Sequence, residues 1–141
     1  MQSQAAKILI VDDSPIQIGH LKKCLSKSGF EIYTTTKSED AVELIEELLP
    51  DLVLLDIMMP KRDGYCICEA LKSNAATKDI AIIFITAKNE RQDKIKGFCM
   101  GAFDYITKPF YTEEVEARVK NAINLKLSQD ELKNKNSILE V

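Results

Sequence analysis

The chain has 141 residues, 45% hydrophobic and 29% charged, the balance of one soluble globular domain with room for a short appendage. A net charge of −3 argues against a nucleic-acid or anionic-membrane footprint, and no apolar run is long enough to span a bilayer. Met1 to Ala6 lack a signal-peptide pattern, and Cys24, Cys66, Cys68 and Cys99 with the single histidine His20 form no zinc pattern. The cysteines read as reduced, mostly core thiols of a cytoplasmic protein.

The first element is the apolar run Lys7 to Val11, a strand buried on both faces, which ends in Asp12-Asp13. Ser14 is a good N-cap and Pro15 suits a first helical position, so a helix starts there. Ile18, Leu21 and Leu25 give it one apolar face, and Gly29 stops it. His20 beside that stripe reads as a partly exposed surface residue. Glu31 to Thr35 alternates around Ile32, which suits an edge strand. Ser38 is the expected cap of the second helix, with Ala41, Leu44, Ile45 and Leu48 on one stripe and Pro50 at its end.

Leu52 to Leu55 is the most apolar stretch and runs straight into Asp56. A carboxylate there lies at the carboxyl rim of a sheet, where open α/β folds bind ligands, and is costly to desolvate if isolated. Pro60 to Gly64 is a turn, followed by a helix from about Tyr65 to Ser73 with Ile67 and Leu71 inward. Ile80 to Ile85 is another buried strand, ending in Thr86-Ala87. Asn89 is the expected cap of a helix through Ile95, Phe98 and Cys99, closed by Gly101. Asp104 to Thr107 is a short, more polar strand ending in Lys108-Pro109. Thr112 is the expected cap of the last helix, whose face is Val115, Val119 and Ile123.

Five βα units predict an α/β fold: a doubly wound, flavodoxin-like parallel sheet with helices on both faces. Order 2-1-3-4-5 puts the two polar strands at the edges and makes strands 1 and 3 neighbours. The domain covers residues 1–124. Leu125, Leu132 and Leu139 lie seven apart in the charged segment that follows, so 125–141 reads as a helical extension or linker, or a frayed tail.

This order brings Asp12 and Asp13 beside Asp56. At about 5 Å and an effective dielectric near 20, each carboxylate pair repels by about 3 kcal/mol. A divalent cation relieves this, and hard oxygen ligands suit Mg2+ better than zinc. Thr86 adds a hydroxyl and Lys108 an ammonium from the neighbouring strand ends. Acids, hydroxyl and cation on one rim form a phosphoryl site, with Asp56 the acceptor, Mg2+ the bridge and Lys108 the counter-charge.

With these motifs in order, the chain from about Lys7 to Asn124 resembles the receiver domain of two-component response regulators, the family of the bacterial chemotaxis regulator. The resemblance implies a phosphoprotein, not an enzyme acting on external substrates, that catalyses only its own phosphorylation and dephosphorylation. It implies that Asp56 is the phosphorylation site, that Asp13, Asp56 and the Met58 carbonyl ligate Mg2+, and that Asp12 acts mainly through a bridging water. Lys108, the Thr86 hydroxyl and the Ala87 amide would bind phosphoryl oxygens, the Lys108-Pro109 bond would be cis, and Tyr105 would be the switch aromatic. Met58 and Lys88 stand where the family varies. The implied partners are a sensor histidine kinase or histidine phosphotransfer protein, with an effector or output domain beyond. A dimer would use the C-terminal helix or the face of fourth helix, fifth strand and fifth helix. A flavodoxin-like cofactor binder would instead need a Ser/Thr/Gly-rich loop where Asp12-Asp13 stand. A phosphohydrolase of the haloacid dehalogenase type wants a second Asp where Met58 stands. A pseudo-receiver that only docks partners would not need the complete set of acids, Thr and Lys.

Overall fold

The computed structural model describes residues 5–57, 59, 63–86 and 101–139, with side chains in the last helix through residue 129. Five strands, β1 (Lys7–Val11), β2 (Glu31–Thr35), β3 (Leu52–Asp56), β4 (Ala81–Thr86) and β5 (Asp104–Thr107), form one parallel sheet in the order β2-β1-β3-β4-β5. The helices are α1 (Pro15–Leu25), α2 (Ala41–Leu48), α3 (Gly64–Lys72) and a C-terminal helix (Thr112–Leu139). The predicted helix between Asn89 and Cys99 lies outside the described residues.

Alternation along each strand sorts the core into two layers. Ile8, Ile10, Leu52, Leu54, Ile83, Ile85 and Ile106 face α1 and the C-terminal helix. Leu9, Val11, Val53, Leu55, Ile82, Phe84 and Tyr105 belong to the layer of α2 and α3. With both faces covered, the central strands cannot alternate apolar with polar, which is why they read as unbroken apolar runs. At about 1.5–3 kcal/mol per fully buried large side chain, β1, β3 and β4 anchor the domain. β2 is largely exposed, as an edge strand should be.

The helix ends differ in detail from expectation. Ser14 caps α1, its hydroxyl accepting from the Gln17 amide, but the helix stops at Leu25 and a turn carries the chain to Gly29 at φ 78°. Ser38 does not cap α2. It is buried within a 3-10 turn, Ser38–Asp40, and no side chain caps the helix that follows. Only Ala41 and Ile45 of the expected stripe are buried; Leu44 and Leu48 pack at its margin. Leu49 closes α2 in the left-handed conformation, φ 48°, where a glycine is usual. Thr112 is the first helical residue rather than the cap: the Val115 amide donates to the Tyr111 carbonyl. Val115, Val119 and Ile123 are buried as expected, joined by Ala122. Cys24 and Cys68 are buried, while Cys66 is exposed.

Candidate functional site

Because β1 and β3 are neighbours, their carboxyl ends deliver three acids to one rim. Asp12, Asp13 and Asp56 each offer a carboxylate oxygen, and these oxygens lie within 4.8 Å of one another. Asp12 is 1% and Asp56 2% exposed, whereas Asp13 is open to solvent. The trio therefore runs from the core to the surface.

Asp12 is the most constrained. The Ser14 amide donates to its Oδ1 at 2.9 Å, so the residue that caps α1 also orients this carboxylate. Its Oδ2 is buried and has no hydrogen-bond partner among the described residues. Burial pushes the Asp12 pKa from 3.8 up to about 7. The Ser14 amide opposes that rise, the Asp56 charge adds to it, and the Lys108 charge works against it.

From the other side come β4 and β5. Thr86, buried, ends β4, and its carbonyl accepts from the Lys108 amide at 2.7 Å. The Lys108-Pro109 peptide is cis. Lys108 Nζ stands 3.8 Å from Asp56 Oδ1, with its side chain 28% exposed. Tyr105 is buried, its ring centroid 5.7 Å from that of Phe84, which in turn meets Tyr65 edge-on at 5.1 Å. Asp12, Asp13, Asp56, Thr86 and Lys108 thus sit on adjacent strand ends. Met58, Lys88 and Ala87 lie outside the described residues. His20 is exposed and stacks on Phe110 at 4.7 Å.

Two features escaped the sequence reading. The Ser14 amide as donor to Asp12 is one. The contact made at Gly64 is the other: this residue, read as part of a turn and as a motif position beyond Asp56, is the first of α3, one before the expected start, with Asp63 as cap accepting from the Cys66 amide. Its amide donates to the Ile57 carbonyl, and a Cβ there would stand 2.6 Å from the Asp56 carbonyl oxygen and 3.0 Å from Ile57 Cα. Backbone cannot yield as a side chain would. Gly64→Ala is expected to lower stability by about 1–3 kcal/mol, read as a fall in urea midpoint at unchanged slope.

The three carboxylates, with one buried oxygen lacking a partner among the described residues, make an all-oxygen donor set that fits Mg2+. An acid acceptor, a hydroxyl and an ammonium around it can hold a phosphoryl group.

Comparison with known proteins points the same way. The sequence profile of the response regulator receiver domain matches residues 8–120. A protein assigned as a response regulator in Chloroflexus aurantiacus has 35% identity and a TM-score of 0.82, covering 86% of this chain and 99% of its own. The signal receiver domain of a signal transduction histidine kinase from Syntrophus aciditrophicus has 34% identity and a TM-score of 0.77, covering 85% and 91%. A response regulator receiver domain protein from Clostridium thermocellum has 30% identity and a TM-score of 0.80, covering 88% and 98%.

Proposed function

The chain belongs to the response regulator receiver domain family, and from that premise we propose that Asp56 takes a phosphoryl group from a phosphohistidine. The donor is a sensor histidine kinase or a histidine phosphotransfer protein. The observation that carries this is the convergence of Asp12, Asp13 and Asp56, with Lys108 Nζ 3.8 Å from the acceptor carboxylate. An Asp56 oxygen attacks phosphorus, the phosphorus–nitrogen bond breaks, and the imidazole departs with a proton from solvent. The product is an acyl phosphate on Asp56. Asp12, Asp13, Asp56 and the Met58 carbonyl would hold Mg2+. Bound there, the ion would supply positive charge to offset the carboxylates and the incoming phosphoryl group. Lys108 then pairs with a phosphoryl oxygen, as do the Thr86 hydroxyl and the Ala87 amide. Hydrolysis returns the free carboxylate, so the domain catalyses only its own cycle.

The new charge draws on Thr86, which ends β4, and Lys108, which directly follows β5; the two are joined by a backbone hydrogen bond. Tyr105 lies one strand over, against Phe84. The switch therefore reaches the β5 edge, where an effector, an output domain or a second copy docks. Residues 125–141, helical through Leu139, serve as the extension towards it. No helix among the described residues is long and apolar enough to cross a membrane.

Incubation with acetyl phosphate and Mg2+ tests the reading. Intact-mass spectrometry should show one added phosphoryl group per chain, and none with a chelator present. Continuous turnover of phosphate esters without a phosphorylated protein would instead favour a phosphohydrolase. Lys108→Ala removes the ammonium that meets the transferring group and is expected to slow uptake by about 10²–10³-fold, the loss typical of one preorganised electrostatic donor. Beryllium fluoride, a phosphoryl mimic, should shift the NMR signals of Thr86 and Tyr105. Unmoved signals under saturating mimic would count against the switch.

A further inference from the structure

At the end of the sheet away from the acidic rim, the end of α3, the residues before β4, those before β5 and the C-terminal helix line a half-open cleft of about 340 Å3. That volume falls within the range of small-molecule sites, about 300–1,000 Å3. Phe103 and Leu125 give it an apolar part; Lys72, Lys78 and Lys126 give it three cations against one acid, Asp79. In a chain of net charge −3 this concentration runs against the whole.

Lys72 is the unusual member. Its Nζ donates to the carbonyls of Lys78 at 2.9 Å and Ile80 at 3.1 Å, which uses two of the three donors of an ammonium. Both acceptors are neutral. Burial lowers its pKa, the Cys68 thiol and the Asp79 carboxylate acting in the opposite direction. A partly dehydrated cation whose hydrogen bonds go to neutral carbonyls, with Asp79 its one carboxylate neighbour in the lining, pairs with an incoming carboxylate more strongly than a surface lysine does.

We propose that this cavity binds a small carboxylate with an aromatic or branched aliphatic body. The carboxylate lies against Lys72 and Lys78, and the body against Phe103 and Leu125. Leu125 and Lys126 belong to the C-terminal helix, so an occupant ties the base of that helix to the sheet. The site is at the far end from Asp56 and binds independently of Mg2+.

Titration of the isotope-labelled chain by NMR tests this, with benzoate, acetate, benzamide and inorganic phosphate as probes. Benzoate should shift the amides of residues 78–81 and 101–103 saturably, with or without Mg2+, and slow amide exchange over residues 122–126. Acetate and phosphate lack the body and benzamide lacks the charge, so each should bind at least about tenfold more weakly. The double variant Lys78→Ala, Lys126→Ala changes only surface-reaching side chains and should lose about tenfold in benzoate affinity while remaining folded. Benzamide binding as well as benzoate, an unchanged double variant, or benzoate shifts confined to the acidic rim would each overturn the proposal.

Discussion

Asp56→Asn is expected to abolish phosphoryl uptake from acetyl phosphate while leaving the chain folded. The amide has no anionic oxygen with which to attack phosphorus, and Asp12 and Asp13 lie on another strand end and do not replace it. Folding is preserved because Leu52 to Leu55 do the anchoring, and the change at Asp56 removes a charge from a site only 2% exposed. Each carboxylate neighbour, once ionised, repels Asp56 by up to about 3 kcal/mol at an effective dielectric near 20, less for the solvent-exposed Asp13. Loss of these repulsions offsets loss of the attraction to Lys108, which is itself partly screened by solvent. The metal-free urea midpoint should therefore hold or rise. The Asp12 pKa should also fall, because the Asp56 charge is one of the influences holding it up. A phosphoryl group still found on Asp56→Asn, mapped to another residue, would overturn the acceptor assignment.

The acid trio and Thr86 were legible because each ends an apolar run, Lys108 because it ends the shorter, more polar fifth strand, and the polarity of the runs orders the sheet. A strand buried on both faces announces itself through composition, and its first polar residue marks the rim. Gly64 was not legible as a contact, since its constraint is the Asp56 carbonyl, eight positions away in sequence and touching only once α3 has packed. Leu49 was opaque for a different reason: its left-handed turn is imposed by what the helix and β3 each need, against local preference. Ser38 shows the reverse error. Its cap preference is local, but the chain first makes a 3-10 turn that buries the hydroxyl, so the propensity lost to packing. The tie between Ser14 and Asp12 was half visible, as a helix cap; its second role needed the strand end to be in place. The cavity beneath β4 and β5 was invisible, because its lysines come from the end of α3, the connection to β4 and the C-terminal helix.

Asp12→Asn is expected to raise metal-free stability at about pH 8 and to remove most Mg2+-dependent stabilisation. In the unfolded chain Asp12 loses its proton near 3.8; in the folded chain it keeps it to about 7. Between those values the native state binds more protons than the unfolded one. Its stability therefore falls as pH rises through that window, at up to about 1.4 kcal/mol per pH unit. Above the window the buried carboxylate is charged, and the full penalty, on the order of 4 kcal/mol, applies. Asn keeps the shape of the protonated acid, and its carbonyl can still accept from the Ser14 amide, but it never ionises. In chelator, variant and wild type should have similar urea midpoints near pH 4, with the variant pulling ahead by about 2–4 kcal/mol at pH 8. The difference between the two proteins cancels most other titrating groups, so it isolates this one and its coupling to Asp56. Adding Mg2+ at pH 8 should reverse the order, because the ion binds the ionised form and gives wild type a gain that the variant lacks. A variant no more stable than wild type at pH 8 in chelator would show that Asp12 is not held in its acid form. A variant stabilised by Mg2+ as strongly as wild type would remove Asp12 from the cation site.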